Sequence, residues 1–397
     1  MSVFLREEQR ELRALARGFA EGEIRPHAPA WDEARELDPV IFSKLGELGF
    51  MGMRISEDWG GLALDLTSYL LILEELSRGD ASVALSVAIH CGPVPFLIER
   101  HGTEGQKERY LPSLATGDLI GSFALSEAGA GSDARALGTL CRRDGDGWVL
   151  EGRKKWVTNG GRGGVSLVFA RDPDAEEGDG ISLFLVEQDA EGYRVVKRET
   201  TMGFAASSTV EVELDGVEVG PGALVGEVGK GFTYAMESLE IGRLGVAALS
   251  LGIARAAMEH AREYAEERVQ FGRPLAGFQA NRFKLAEMAL RITGARSVMH
   301  AAAGALGATL GEGEEAGEVD PEMPSAGALT AMAKAMASEA AYWVADEAVQ
   351  IFGGYGYMRD YPVEKLLRDA KGTEIFEGTN EIMRLVVARD ALGESGG

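Results

Sequence analysis

Leu119-Ile120-Gly121-Ser122-Phe123-Ala124-Leu125-Ser126-Glu127, residues 119–127, is where apolar residues stop recurring at helical spacing and begin to fall in short continuous runs. Runs of the same kind, rich in Val, Leu, Phe and Tyr and parted by Gly and Asp clusters, follow at 139–143, 148–151, 164–172, 180–189, 193–199 and 209–219. Such runs read as strands. Asp144-Gly145-Asp146-Gly147, between Leu140 and Val149, reads as a hairpin turn because glycine takes φ > 0 without steric cost. The predicted unit is an antiparallel, barrel-like β-domain over 119–229.

Upstream, residues 1–118 carry apolar side chains at helical spacing: Phe4, Leu12, Leu15 and Phe19, then Val40, Ile41, Leu45 and Leu48, then 69–76 and 83–98. The breaks are Pro26, Pro29, Pro39 and Gly60-Gly61, and Asp80 reads as a helix cap before Ala81. Downstream, helical spacing returns over 230–397, with long segments near 233–270, 275–309, 326–352 and 380–391. The predicted fold is α+β and multidomain: an N-terminal all-α domain, the β-domain, and a C-terminal four-helix bundle. The βαβ rhythm of a Rossmann sheet is missing. Residues 311–322, with Glu312, Glu314, Glu315, Glu318, Asp320 and Glu322 and no base, read as a solvated loop without function.

A chain of 397 residues exceeds the ~250–300 at which one core stops growing, and 45% hydrophobic with 26% charged residues is an ordinary globular composition. The balance of 40 Lys and Arg against 63 Asp and Glu, a net −23, repels phosphate backbones and anionic lipid, so neither nucleic acid nor a membrane surface is an expected partner. The first 26 residues carry charges every few positions and no apolar leader, and no window offers ~18 uncharged apolar residues for a span. Cys91 and Cys141 lack CxxC spacing and fit free thiols in a reducing compartment, so a cytoplasmic protein is expected. Three Asn, six Gln and 30 Arg among the 40 basic residues suit a thermostable protein or, equally, a GC-rich genome.

Several chemistries fail on spacing. Gly129-Ala130-Gly131-Ser132-Asp133-Ala134 lacks the third glycine and the βαβ context of a dinucleotide fingerprint, and Gly226-Glu227-Val228-Gly229-Lys230-Gly231 is no P-loop. His27, His90, His101, His260 and His300 form no pair at metal-ligand spacing, so no metal site is expected.

Four longer motifs point one way. Ala124-Leu125-Ser126-Glu127-Ala128-Gly129-Ala130-Gly131-Ser132-Asp133 resembles the first signature of the acyl-CoA dehydrogenase family. Gln350-Ile351-Phe352-Gly353-Gly354-Tyr355-Gly356-Tyr357-Met358-Arg359-Asp360, continued by Lys365 and Asp369, resembles its second. Between and after them, Lys155-Trp156-Val157-Thr158-Asn159-Gly160 resembles the family's flavin-stacking strand, and Glu377-Gly378-Thr379-Asn380-Glu381-Ile382 its catalytic loop. Together the motifs cover nearly the whole chain.

The resemblance implies FAD as cofactor. Reducing a flavin needs a dry slot, an aromatic wall and donors that favour negative charge on the ring. Phe123, Leu125 and Ser126 would present backbone amides and a hydroxyl to the pyrimidine edge, Trp156 the wall and Thr158 a donor near N5. Gly129 and Gly131, lacking a Cβ, let the chain approach the ligand closely, and Ser132 and Val157 are also assigned to the cofactor. Arg268, in Glu267-Arg268-Val269-Gln270-Phe271-Gly272, matches the arginine that takes the FAD pyrophosphate, with Phe271 packing beside it and Phe278 and Gln279 following. In the family this arginine and the stretch holding Gln350, Ile351, Gly353 and Gly354 serve the flavin of a neighbouring subunit, so a homo-oligomer, usually a tetramer, is implied. Thr379 and Glu381 are likewise assigned to the cofactor.

Removing the α-proton of a thioester requires a carboxylate in an apolar pocket that raises its pKa from ~4.3 toward neutrality. Glu377, after Ile375 and Phe376 and before Gly378, fits that base; on a glycine loop it is aimed rather than buried. Thr379 or Asn380 can cap a helix whose inner face is Ile382, Leu385 and Val386. Some family members carry the base just before the arginine that matches Arg243; that position here is Gly242. By resemblance Glu240 and Arg243 contact CoA, with an intrahelical i,i+3 pair as the alternative, and Ser132 and Gly378 also line the substrate. In the family the thioester carbonyl is polarised by the backbone N–H of the catalytic glutamate and a flavin ribityl hydroxyl. The segment from His90 to Arg100, with Pro93, Pro95, Phe96 and Leu97, would line or close the tail end of the pocket.

The implied function is α,β-dehydrogenation of an acyl-CoA to the trans-2-enoyl-CoA, with electrons passed to an electron-transferring flavoprotein. An acyl-CoA oxidase or a carrier-protein-bound acyl dehydrogenase on the same fold is the alternative. A nucleic-acid-binding relative of this fold would need a basic C-terminal region, yet 229–397 holds 17 Lys and Arg against 24 Asp and Glu. Where the family often shows Asp-Thr-Arg, this chain has Ser208-Thr209-Val210.

Overall fold

The computed structural model describes residues 5–175, 180–312 and 322–394. The change of spacing at 119 is a change of layer. Before it run α1 (Glu7–Phe19), α2 (Ala28–Ala34), α3 (Val40–Glu47), α4 (Leu66–Gly79), α5 (Ala81–Cys91), α6 (Pro93–His101) and α7 (Glu104–Thr116). The sheet follows: β1 (Gly121–Ala124), β2 (Leu140–Asp144), β3 (Gly147–Thr158), β4 (Val165–Arg171), β5 (Ile181–Glu187), β6 (Tyr193–Arg198), β7 (Thr209–Val219) and β8 (Leu224–Val225). The C-terminal helices are α8 (Gly231–Glu267), α9 (Gln279–Leu310), α10 (Ala326–Phe352), α11 (Val363–Thr373) and α12 (Asn380–Ala391).

The sheet runs β6-β7-β3-β2-β4-β5-β8 and is mostly antiparallel, with β1 added parallel to β4. The expected hairpin joins β2 to β3, with Gly145 at φ +56. The predicted strand at 148–151 continues to Thr158 because Gly152, at φ +154, bulges where a Cβ would meet Thr139 Cα at 2.7 Å. The charged run that follows does not end it, since Lys154 turns inward and its ammonium donates to Glu127 at 2.7 Å and to the Leu125 carbonyl at 3.2 Å.

Helical domains that read as separate in sequence share one core. Ile24, Leu73 and Ala84 belong to the same buried cluster as Leu244, Met299 and Val344, because α4 packs along α8. A second cluster joins α6 and α7 to the sheet and to the start of α8. Stretches 81–101 and 231–267 are long and apolar enough to cross a membrane by composition, which the sequence reading did not anticipate, but 94% and 78% of their apolar windows are buried in this core. Cys91 and Cys141 are free and buried.

Asp80 caps α5 as its sequence predicts, accepting from the amides of Ser82 at 2.8 Å and Val83 at 3.1 Å. It also meets Lys365 at 2.8 Å, whose ammonium holds Asp369 at 2.7 Å, and Asp369 accepts from the Phe204 amide at 2.5 Å. The end of the second signature is therefore a buried ionic clasp between N-terminal helices, sheet and bundle. Its helix, α11, was not singled out from sequence because its apolar residues are few and charged partners hold it.

Of the acidic loop, 313–321 lie outside the described residues. Glu312 is not merely solvated: it forms an ion pair with Arg54 and accepts from the Leu66 amide at 3.3 Å, at the start of α4.

Removing one partner of a buried ion pair strands the other and costs ~3–5 kcal/mol. Asp369→Ala is expected to lower the urea midpoint of unfolding accordingly, read by circular dichroism, while Asp58→Ala, on an exposed turn, leaves it within error.

Candidate active site

Glu377 occupies the short link between α11 and α12. Its φ is +55, and Gly378 follows at φ +92, where a Cβ would meet Met383 Cε at 2.6 Å. Thr379 caps α12, its hydroxyl accepting from the Ile382 amide at 3.4 Å. Lys334, buried in α10, donates to the Gly378 carbonyl at 2.7 Å and to Asn380 Oδ1 at 2.9 Å, and Ser338 holds the same amide. Anchoring Asn380 sets the rotation of α12, so Asn380 and Met383 face inward and Leu385 is 54% exposed. The predicted inner face of Ile382, Leu385 and Val386 is thereby corrected.

The carboxylate reaches α8 at Gly242, where a Cβ would stand 2.6 Å from Glu377 Oε2. The position that carries the alternative base in some relatives is here the space the base itself needs. Oε2 is fully buried and has no hydrogen-bond partner. The expectation of an aimed rather than buried carboxylate is thus corrected: it is both. Burial pushes its pKa up to about 7, against the pull of Arg243 and Lys334. Burial in turn pushes Lys334 down to about 8, with Glu377 opposing. A base poised there can take a proton near neutral pH.

Glu240 and Arg243 lie on the same stretch of α8 and form no ion pair with each other among the described residues, so the alternative i,i+3 pairing is not what holds them. Burial raises the Glu240 pKa and lowers that of Arg243, whose buried Nε lacks a partner. Glu240 lines an open cavity of ≈ 400 Å³ with Phe96, Arg100, Phe232 and Ile241. From the segment 90–100, Phe96 and Arg100 reach that cavity; Pro93, Pro95 and Leu97 are core. His90 is structural: its ring contacts the Leu114 carbonyl at 3.0 Å and accepts from the Gly121 amide at 2.9 Å.

Trp156 is 53% exposed at φ +57, where the β3–β7 register slips between Lys154 and Val157. A sheet-core tryptophan would point inward; this bulge turns the indole out, while Val157 is buried and Thr158 pairs with Thr209. Phe123 packs on Phe169 at 5.0 Å, Leu125 is buried, and the Ser126 carbonyl accepts from the Lys155 amide at 2.8 Å. Beyond them Gly129, Gly131 and Ser132 are exposed, and among the described residues no atom outside the adjoining residues lies within 4 Å of where a Cβ on either glycine would be. Glu127 ties this loop down by accepting from the amides of Gly138 at 2.6 Å and Thr139 at 3.0 Å. Val210 is buried in the sheet core, so that departure from the family pattern is a packing choice.

The remaining predicted cofactor residues gather elsewhere. Arg268 ends α8, its guanidinium 5.4 Å from the Tyr355 ring centre. Phe271, at φ +49, is 95% exposed and meets Phe278 at 6.2 Å rather than packing beside Arg268, which corrects that expectation. Gln279, Gln350, Gly353 and Gly354 are exposed nearby and the Ile351 side chain is buried, whereas Glu381 is exposed beside the Glu377 loop. Gly242 and Arg268 are separated by 26 residues of one helix, ~39 Å at ~1.5 Å per residue. The Arg268 group thus lies far along α8 from the Glu377 carboxylate.

Residues missed in sequence are Lys334, Lys154 and Glu127. Lys334 had a signal: it is the sole charge between Ser325 and Glu339 on an alanine-rich helix.

Three family models match in order: the N-terminal domain of acyl-CoA dehydrogenase over 6–118, its middle domain over 122–217 and its C-terminal domain over 229–392. An acyl-CoA dehydrogenase of Bacillus subtilis is 43% identical over 387 residues, 98% of each chain. Butyryl-CoA dehydrogenase from Megasphaera elsdenii superposes with a TM-score of 0.91 at 38% identity, covering 99% of this chain and 100% of that one. A chain from the structure of the electron transferring flavoprotein of Acidaminococcus fermentans superposes with a TM-score of 0.91 at 40% identity, with the same coverage. The chain belongs to the acyl-CoA dehydrogenase family, and it is an oxidoreductase.

Because the folded-state pKa of Glu377 is raised from 4.5 to about 7, its protonated form favours the fold; that contribution is full below pH 4.5 and is lost as pH rises through 7. Glu377→Gln is therefore expected to raise the thermal midpoint relative to wild type at pH 8, and to change it far less at pH 5, by calorimetry.

Proposed function

We propose that the protein dehydrogenates an acyl-CoA thioester between its α and β carbons, with Glu377 as the base that takes the α-proton. The observation that carries this is the buried, unpartnered Oε2 held over Gly242 with its pKa near 7. The side chain needs no further activation at neutral pH, and the Arg243 and Lys334 cations keep enough of it ionised. The Glu377 backbone N–H polarises the thioester carbonyl, Glu240 and Arg243 receive the CoA end, and Ser132 and Gly378 line the substrate.

Members of this family are flavoproteins, and FAD fits the residues present. The outward indole of Trp156 and the open cradle at Gly129–Ser132 are unexplained by packing within the chain, and both suit a planar ring and its phosphates. Phe123, Leu125, Ser126, Val157 and Thr158 would hold its edge. Bound there, FAD supplies the two-electron acceptor for the hydrogen leaving the β carbon. Arg268, Phe271, Phe278, Gln279 and Gln350–Gly354 would serve the cofactor of a second copy, which the ~39 Å along α8 and the bare Phe271 ring support. A homotetramer in the cytoplasm, passing electrons to an electron-transferring flavoprotein, completes the reading. Two buried free thiols and a net charge of −23 accord with that compartment.

The test is the anaerobic visible spectrum of the purified protein before and after saturated acyl-CoAs. Oxidised-flavin bands that bleach support the reading; a protein that takes up no FAD overturns it. Rapid reoxidation by air would point instead to an oxidase, and bleaching only by a phosphopantetheinyl protein to a carrier-bound substrate. Glu377→Gln is expected to slow bleaching by ~10²–10⁴-fold. Wild-type kcat/KM should fall tenfold per pH unit below about 7. Lys334→Met, which removes a cation that favours the carboxylate, should move that limb to higher pH, a shift that mere loosening of the loop would not produce.

A further inference from the structure

Phe204, in the link between β6 and β7, shares with Glu377 a left-handed backbone, φ +51 against +55, which a bulky residue adopts only under constraint. Its amide donates to Asp369 Oδ1 at 2.5 Å, and Arg368 donates to the Met202 carbonyl at 3.2 Å. Between them, a Cβ at Gly203 would stand 2.2 Å from the Arg368 carbonyl oxygen. The sheet link is thereby pressed onto α11. Asp369 is itself fixed by Lys365, which Asp80 also holds.

What this anchored backbone presents is a ring. Phe204 is 4% exposed and meets Phe376 edge to face, the centroids 5.3 Å apart at 71°. A Cβ at Gly372 would lie 2.8 Å from Phe204 Cε2 and 3.1 Å from Phe376 Cε1, so the two rings close over a glycine. The Phe376 amide donates to the carbonyl of that glycine at 3.2 Å. Glu377 is the next residue. Its loop is therefore held from two sides, by Lys334 on the Gly378 carbonyl and by the Phe204 ring on Phe376.

We propose that Phe204 is a positioning residue: anchored by Asp369, its ring braces Phe376 and so keeps the Glu377 carboxylate over Gly242 and out of water. The proposal deepens the reading of Glu377 as the base and rests on it. The groups around that carboxylate are Arg243 from α8, Lys334 from α10 and the Tyr69 phenol from α4. The two cations pull its pKa down and burial outweighs them, so wetting the carboxylate moves the pKa down.

Thermal midpoints of the holoenzyme at pH 8 and pH 5 read the carboxylate without turnover. In the wild-type background Glu377→Gln is expected to raise the midpoint at pH 8 far more than at pH 5. In the Phe204→Ala background that pH 8 increment is expected to shrink at least ~2-fold, because a wetted carboxylate ionises at little cost to the fold. Lost packing alone lowers both midpoints and leaves the increment unchanged. In turnover, Phe204→Ala should lower kcat at least ~10-fold with KM within ~3-fold of wild type. The acidic limb of kcat/KM should move from about 7 toward 4.5, opposite to the shift expected of Lys334→Met. Where Phe204→Ala does not fold, Phe204→Leu, which keeps bulk without a ring edge, is expected to give the same directions. An unchanged increment and an unmoved limb overturn the brace and leave the dehydrogenase reading standing. Failure of every acyl-CoA to bleach the flavin overturns that reading and the positioning role with it, whatever the thermal increments.

Discussion

Everything at this site depends on keeping one carboxylate oxygen out of water with nothing to bond. A buried, unpaired carboxylate is unfavourable, and the surrounding chain is arranged so that the cost falls on protonation state rather than on folding. The backbone supplies two consecutive residues in the left-handed region, Glu377 and Gly378. Helix α8 supplies a missing Cβ at Gly242, and α10 supplies a lysine that grips the loop by its carbonyl. Each is a small concession, and each is a residue type that only that geometry explains.

Helix α8 is the member that makes these concessions coherent. Its N-terminal part packs on the sheet, its middle on α4 and α5, and its C-terminal end bears Arg268. A rigid rod shared by all three layers fixes the spacing between carboxylate and cavity more tightly than loops could. The ionic clasp of Asp80, Lys365 and Asp369 serves the same end by tying α11, which carries the loop of Glu377, to the start of α5.

The order of layers was legible because the apolar period changes sharply at 119, and Glu377 stood out only through the resemblance of its loop, since a glutamate beside a glycine reads by itself as loop surface. What could not be read were relations across sequence distance. That Lys334 faces Gly378, that Lys154 turns inward to Glu127, and that Phe204 meets Phe376 are facts of packing between elements, with no local periodicity to announce them. The rotation of α12 was misjudged for the same reason. Three apolar residues at helical spacing were outweighed by one asparagine whose partners lie on α10. Glu312 was misread because composition marks an acidic stretch as solvated, although a single member can still find an arginine.

The length of α8 has a thermodynamic corollary. With the Glu377 carboxylate against the first third of α8 and Arg268 at its far end, a proposed assembly in which each cofactor touches two copies makes cofactor binding and subunit association linked equilibria. Whatever tightens one must tighten the other by the same factor. Dilution and cofactor depletion then become the same perturbation, and a surface residue far from any chemistry, such as Phe271, acquires leverage over redox competence through mass action alone.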